Sequence, residues 1–134
     1  MGYWLFKSDP ETYGYPHLEK DKRTTWDGVS NNLALKHLRG CKKGDQVFIY
    51  HSGDEKAIVG TAEIMKEAYS DPKSGDDKLV VVDIKIGQRL KKPVSLAAIK
   101  SRNEFADFLL VRMSRLSVMP VTEAHWKTIM KMSD

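Results

Sequence analysis

The segment from residue 24 to residue 32 carries side chains whose chemistry goes beyond simple packing. Trp26 lies there among turn-forming residues, with no helical or strand stripe that it could join. A flat aromatic ring on a loop acts either as a lid on the core or as a stacking platform for a nucleobase. Asn31 offers a hydrogen-bond donor and an acceptor, which can read the edge of a base, and the same side chain can instead cap a helix. The sequence leaves both pairs of roles open.

The four histidines, His17, His37, His51 and His125, are the candidate general bases. A nucleophile-and-base enzyme needs a serine or cysteine beside a histidine, and a carboxylate that orients the ring. Only His51 has such a neighbour, Ser52, and adjacent residues of a strand point to opposite faces. The sequence also lacks a His-Glu-x-x-His motif, a glycine-rich phosphate loop and metal-ligand spacing. We therefore expect no catalytic residue, no cofactor and no metal.

The length and composition are those of one domain. The chain has 134 residues, 30% of them charged and 41% hydrophobic, and its mean hydropathy is -0.45. We expect a single domain over residues 1–134, present as a monomer. The lone cysteine, Cys41, excludes an internal disulfide and a thiolate zinc cluster. No signal peptide is indicated before Lys7 and no run reaches the ~20 apolar residues of a membrane span, so we expect a cytoplasmic protein.

The basic residues are unevenly distributed along a chain whose formal net charge is +4 and whose pI is near 9.1. Residues 84–102 contain six basic side chains and no acidic one, whereas residues 63–77 lean acidic. A basic block of this kind is either a solvated face or the electrostatic footprint of a polyanion. On the second interpretation, the phosphate-contacting residues are Lys85, Arg89, Lys91 and Lys92.

These side chains must be positioned by about five strands and several short helices. Strand patterns cover residues 3–6, 46–51, 57–69, 79–86 and 115–118, and the second and third of them should form a hairpin. Asn31, Ser95, Asn103 and Thr122 stand where helices could be capped, and Gly40 stands where a left-handed C-terminal cap belongs. The elements predict an α+β fold whose strands close, or nearly close, a small barrel.

Four motifs in this sequence resemble, in order and spacing, those of the EVE domain family. They are YWLFKSDP at residues 3–10, WDGVSN at 26–31, GD with YHS at 44–45 and 50–52, and RLSV with PVT at 115–118 and 120–122. The resemblance extends over essentially the whole chain. It implies a PUA-like small mixed β-barrel of about five to six strands with flanking short helices. It also implies binding of modified bases in DNA or RNA.

The resemblance further implies a ligand pocket formed by four separate segments. Its ligand-binding residues would be Lys7, Ser8, Trp26, Val29, Ser30, Asn31, Tyr50, His51, Ser52, Arg115, Ser117 and Val118. The chain departs from the family pattern at Asp9, where glutamate is usual, and at Ser30, where arginine is common. It also lacks the Arg-Trp pair often found before the strand at residues 79–86. The change at Ser30 removes a cation that could face a phosphate or a base.

We therefore expect a non-enzymatic protein that takes a flipped, modified base into an aromatic pocket. Trp26 would stack on the base, and Asn31, Ser8 and backbone groups would bond its polar edge. One alternative is a small hydrolase acting on a modified nucleoside, as related ASCH domains suggest, using Lys7 with Asp9 or Glu11. Another is an interaction module whose barrel groove binds a protein. A turnover assay with N-acylated or N-methylated nucleosides separates the enzyme from the reader.

Overall fold

Six strands form one mixed sheet in the computed structural model, which describes residues 2–134. The strands are β1 (Tyr3–Ser8), β2 (Arg23–Trp26), β3 (Gln46–His51), β4 (Ala57–Ser70), β5 (Val80–Ser95) and β6 (Val118–Pro120). Their order across the sheet is β2-β5-β4-β3-β1-β6. β1 and β3 run parallel, and all other neighbours are antiparallel. The predicted α+β class and the hairpin of β3 and β4 are confirmed.

Short helices connect or follow the strands. They are α1 (Pro10–Tyr13), α2 (Tyr15–Asp21), α3 (Asn32–Gly40), α4 (Leu96–Lys100), α5 (Leu109–Arg112) and α6 (Glu123–Met132). The side chains of Asn31, Ser95 and Thr122 cap α3, α4 and α6 by accepting backbone hydrogen bonds at 3.0 to 3.1 Å, as predicted. Asn103 instead begins a single 3-10 turn and caps nothing. No helix in the described part of the chain is long and apolar enough to cross a membrane.

The sheet is not closed, which corrects the expectation of a closed or nearly closed barrel. β2 and β6 are its edges, and no pairing joins them within residues 2–134. The sheet is nevertheless bent, because β4 and β5 pair with four shifts of register and such irregularities bend strands. The end of β2 returns toward β1, where the ring centroids of Trp26 and Phe6 are 5.5 Å apart.

The segment between β1 and α3 is more regular than the sequence indicated. Residues 10–21, to which the strand and cap patterns assign no element, form α1 and α2, each of which has a proline in its first turn. β2 was missed because it has only four residues and lies at a sheet edge, where apolar alternation is not required. Trp26 is its last residue and pairs with Val82. The prediction that Trp26 joins no strand is therefore wrong.

Two further boundaries and one cap differ from the prediction. β5 extends to Ser95 instead of ending near residue 86, because it pairs with β4 over nearly its whole length. The last strand covers Val118–Pro120, so Arg115 lies in the turn before it, and Pro120 occurs at an edge where its missing N–H is tolerated. Gly40 ends α3 without a left-handed cap. It allows close approach instead, since a Cβ there would lie 3.2 Å from the Trp4 ring.

The core packs between the sheet and the surrounding helices, with buried side chains from α3 and α6 among them. Trp126 stacks on Phe48 with ring centroids 3.7 Å apart, and it also contacts Tyr3 at 4.8 Å. Trp126, on the apolar face of α6, is only 9% exposed and belongs to the core. Near the start of β1, the buried carboxylate of Asp45 accepts hydrogen bonds from the Gly2 and Lys42 backbones and from Trp4 Nε1, each at 2.9 Å. These bonds join β1 to the turn before β3.

Candidate functional site

A cavity of about 530 Å³ opens where β1 ends, beside α1 and β2. We call it the first cavity. Five of the predicted ligand-binding residues line it together, namely Lys7, Ser8, Trp26, Val29 and Ser117, and α1, β2 and the loop after β2 complete the lining. The volume lies within the roughly 300–1,000 Å³ of typical small-ligand sites.

Trp26 forms an aromatic wall of the first cavity. It is 7% exposed, so it also belongs to the core. Its indole packs against Phe6 and meets Tyr13 edge-on, with ring centroids 6.3 Å apart in the second contact. The ring therefore belongs to the core, and the small part of it that is exposed borders the first cavity. Phe6 and Tyr13 hold the ring in one orientation.

Lys7 places a positive charge in the first cavity. Its Nζ donates a hydrogen bond to the carbonyl oxygen of Ser114 at 2.7 Å and lies 5.7 Å from the centroid of the Tyr50 ring. Burial lowers the pKa of Lys7 and raises the pKa of Tyr50. The ammonium thus has a fixed partner, and the tyrosine beneath it keeps its proton at neutral pH.

The polar groups of the first cavity divide into engaged and free ones. Ser8 donates its hydroxyl proton to the carbonyl oxygen of Tyr13, and the Asp9 carboxylate accepts a hydrogen bond from the Glu11 backbone at 2.9 Å. Ser117 and Asp27 also line the cavity, and their side chains make no hydrogen bond within the described residues. They are among the groups available to a ligand's polar edge, as is the Thr12 hydroxyl.

A second cavity of about 470 Å³ lies between the start of α3 and the turn that follows α5. Its lining includes Asn31, Arg112, Ser114 and Arg115. The structure therefore does not bring Asn31 and Arg115 into the first cavity with Trp26. The Asn31 side-chain oxygen accepts from two backbone N–H groups of α3, whereas its amide NH2 has no partner within residues 2–134. The cap role is observed, and a donor remains free.

The two cavities are neighbours. Lys7 lines the first, and the carbonyl oxygen to which it donates belongs to Ser114, which lines the second. Ser117 of the first cavity follows Leu116 of the second directly in the chain. A ligand longer than one nucleoside could therefore contact both.

The remaining predicted ligand-binding residues line neither cavity. His51 is buried, and its Nε2 accepts a hydrogen bond from the Tyr15 backbone. The ring proton is therefore on Nδ1, which donates to the Glu55 carboxylate at 2.7 Å. Ser52 donates its backbone N–H to the carbonyl oxygen of Ser8 at 2.9 Å. Tyr50 and Val118 are buried and Ser30 is exposed, and these three residues line neither cavity.

The basic block predicted to contact phosphates lies along β5. Three of its four members already face carboxylates: Lys85 is 3.6 Å from Glu63, Arg89 forms a two-pronged pair with Glu19, and Lys91 is 4.0 Å from Asp134. Lys92 makes no ion pair in the described part of the chain. A cation that is already paired must exchange a protein carboxylate for a phosphate, so its net gain is smaller.

Sequence reasoning missed several residues of these cavities. Tyr13, Thr24, Thr25 and Asp27 line the first, and Arg112 lines the second. Asp27 could have been found, because it follows Trp26 inside the WDGVSN motif. Tyr13 and Arg112 could not, because only the fold brings α1 and the end of α5 to the two cavities.

A comparison with known protein families identifies the family of this chain. The model of the EVE domain matches residues 2–132. The chain belongs to the EVE domain family. The resemblance of the four motifs is thereby confirmed, as are the α+β class and the family's PUA-like fold.

Relatives of this EVE domain are known in bacteria and animals. Human thymocyte nuclear protein 1 is 31% identical over 170 residues, which cover 98% of this chain and 74% of the human protein. A protein from Rhodopseudomonas palustris, solved by NMR, is 44% identical with a TM-score of 0.94, over 99% of this chain and 93% of its own. Human thymocyte nuclear protein 1, crystallised in complex with DNA containing 5-methylcytosine, superposes with a TM-score of 0.89 at 28% identity, over 100% of this chain and 98% of its own.

The ASCH domain of Zymomonas mobilis shares the fold of this EVE domain. Its TM-score is 0.63 at 9% sequence identity, over 97% of this chain. At that identity the likeness concerns the fold alone. In this chain Lys7 is bonded to a carbonyl oxygen and Asp9 caps α1, and Glu11 does not line the first cavity.

Proposed function

We propose that this EVE domain binds a nucleic acid and takes one modified base into the first cavity without transforming it chemically. The observation that carries the proposal is the Trp26 ring, which Phe6 and Tyr13 orient at the wall of a cavity large enough to admit a base. A base that leaves its stack needs such a surface, since stacking on an aromatic side chain offsets part of the cost of unstacking.

The human relative supports nucleic acid as the ligand class. Its crystal structure is a complex with DNA that contains 5-methylcytosine, and its fold covers this whole chain. We therefore take an oligonucleotide with one 5-methylcytosine as the first ligand to test, in both single-stranded and duplex form.

Polar groups of the first cavity select the kind of base, and the modification adds a smaller contribution. We propose that Asp27 and Ser117 bind the polar edge of the base, because both line the first cavity with unengaged side chains. A carboxylate can accept a hydrogen bond from the exocyclic amine of cytosine, and 5-methylcytosine carries the same amine. The preference for 5-methylcytosine over cytosine therefore comes from burial of the methyl group, which contributes ~0.8 kcal/mol, about fourfold in affinity.

The test compares two oligonucleotides that differ only at one 5-methylcytosine, by fluorescence anisotropy. The parent should bind the modified one more tightly, and Trp26→Ala should weaken both by about 1 to 3 kcal/mol, roughly 5- to 150-fold. Trp126→Ala is the matched control, since it removes the same side chain outside both cavities. Circular dichroism establishes that each variant is folded. If Trp26→Ala is not, Trp26→Leu serves, since it keeps an apolar side chain in the core and removes the aromatic face.

Two outcomes would contradict the proposal. One is equal affinity of the parent for unmodified DNA and for a panel carrying 5-methylcytosine, 5-hydroxymethylcytosine or N6-methyladenine. The other is turnover of an N-acylated or N-methylated nucleoside that depends on Lys7, which would favour the hydrolase. Phosphate contacts by Lys85, Arg89, Lys91 and Lys92 stay a prediction.

A further inference from the structure

The second cavity differs from the first in its charge. Its lining contains two arginines, Arg112 and Arg115, and no acidic residue. Within residues 2–134 neither guanidinium forms an ion pair or a hydrogen bond. Both side chains are exposed, so their charges are available to a ligand. An unpaired guanidinium offers donors in a fork that matches phosphate oxygens.

The turn that carries these arginines is held in place. The Met113 backbone donates to the Leu109 carbonyl oxygen at 2.7 Å, and the Leu116 backbone donates to Met113 at 3.0 Å. Leu116 is buried and anchors the turn to the core. Lys7 adds its bond to Ser114 from the side of the first cavity. The arginines therefore project from a fixed backbone, which reduces the entropy lost on binding.

A third donor faces the same cavity. The oxygen of Asn31 is engaged as the cap of α3, and its amide NH2 is free within the described residues. Asparagine side chains commonly donate to phosphate or sugar oxygens. Two guanidinium groups and one amide in a single concave surface form a site for an anion.

From this arrangement we infer that the second cavity binds the phosphate backbone next to the base held in the first cavity, with Arg112 and Arg115 as its principal contacts. The inference rests on the proposed function and names the part of the nucleic acid that the adjoining surface recognises. The first cavity is less suited to phosphate, because Asp9 and Asp27 line it together with a single lysine. On this assignment Asn31 contacts the backbone instead of reading the base edge.

The test measures affinity for the 5-methylcytosine oligonucleotide at several salt concentrations. Each lost phosphate contact makes the slope of log K against log salt about 0.7 to 0.9 less negative. Arg112→Gln with Arg115→Gln should therefore make the slope less negative by roughly 1.4 to 1.8. Arg112→Lys with Arg115→Lys keeps the charge and should keep most of the slope. Lys91→Gln with Lys92→Gln makes the same change of charge at the competing site predicted on β5, and it should change the slope less. Lys73→Gln with Lys131→Gln is the matched control, since both lysines are exposed and lie outside both cavities, and it should leave the slope unchanged.

The outcomes separate this inference from the function on which it rests. An unchanged slope in the double arginine-to-glutamine variant would overturn the phosphate site, even if the preference for the modified base persists. A larger loss of slope in the Lys91 and Lys92 variant would assign the phosphates to β5 and also overturn it. If the parent binds no oligonucleotide, the proposed function fails and the phosphate site fails with it. Retention of the modified-base preference together with a reduced slope supports both.

Discussion

The two cavities lie side by side and are built in opposite ways. The first has an aromatic wall that belongs to the core, with Trp26 only 7% exposed between Phe6 and Tyr13. The second is lined by exposed arginines on a short turn, anchored by the buried Leu116. The proposed roles explain this difference. A surface for stacking must be flat and already oriented, so the core suits it, whereas a surface for phosphate needs only unpaired cations at a fixed spacing and can be built on the outside.

The largest expected effect is a loss of stability on removal of Trp26, which both lines the first cavity and packs in the core. Trp26→Ala and Trp126→Ala should each lower the free energy of unfolding by about 3 to 5 kcal/mol, because each removes a buried aromatic side chain. Urea denaturation measures both. Only Trp26→Ala should also weaken oligonucleotide binding by the folded protein. A loss of stability below 1 kcal/mol for Trp26→Ala would show that the ring is a removable lid.

A second prediction concerns β1, whose far end carries Lys7 and Ser8 of the first cavity. Asp45→Ala should cost about 3 kcal/mol of stability at neutral pH, since three donors lose their acceptor. Burial alone would raise the pKa of Asp45, but the hydrogen bonds from Trp4, Lys42 and Gly2 outweigh it and hold the pKa below its usual value.

The pH dependence of that variant follows from the lowered pKa. The stabilisation is fully present above the usual carboxyl pKa, and it is lost as the pH falls through the lower value of the folded state. The difference between the parent and Asp45→Ala should therefore shrink in acid. Urea denaturation at pH 7 and at successively lower pH measures it, and a difference that grows toward acid would contradict the assignment.

A third prediction separates polar readout from stacking within the first cavity. Asp27→Ala should weaken binding of the 5-methylcytosine oligonucleotide by about 1.5 kcal/mol, roughly tenfold, through loss of a charged hydrogen bond. Its stability should be unchanged, because Asp27 is exposed and bonded to nothing else in the described chain. Asp54→Ala, on an exposed loop outside both cavities, is the control in anisotropy titrations. Equal affinities of the two variants would remove Asp27 from the site.

The smallest expected effect concerns the second cavity. Arg115→Ala should change the free energy of unfolding by less than about 0.5 kcal/mol, because the side chain is exposed and has no partner within residues 2–134. Trp26→Ala should lower both stability and binding, whereas Arg115→Ala should lower binding and leave stability almost unchanged. A loss above 1 kcal/mol in urea denaturation would indicate that Arg115 holds the turn.

The sequence predicts the parts of this molecule that local chemistry determines. The caps at Asn31, Ser95 and Thr122 are set by their own side chains, and the hairpin of β3 and β4 follows from two neighbouring apolar runs. β2 and the extension of β5 could not be found in that way. β2 pairs with residues 82–85 of β5, and the extension of β5 pairs with the first residues of β4. Both pairings join residues that are far apart in sequence, so the regularity of these segments comes from tertiary contacts.

For the candidate site, the sequence named residues that lie in motifs, but it did not show which of them share a cavity. Trp26 and Ser117 could be named from their motifs, and the fold places them in one cavity. The motifs also predicted Asn31 and Arg115 in the same pocket, but the fold places both in the second cavity. Position in a motif does not reveal on which side of the bond between Lys7 and Ser114, where the two cavities meet, a residue lies. Arg112 had no signal in the sequence.

A crystal structure of this chain with an oligonucleotide carrying a single 5-methylcytosine shows whether the first cavity holds the modified base. We expect the base in that cavity, stacked against Trp26, with its exocyclic amine donating to Asp27 or its polar edge bonded to Ser117. It also predicts a neighbouring phosphate within hydrogen-bond distance of Arg112 or Arg115. A modified base that remains stacked in the nucleic acid, or one that lies in any other part of the protein, would show that the first cavity is not the base-binding site.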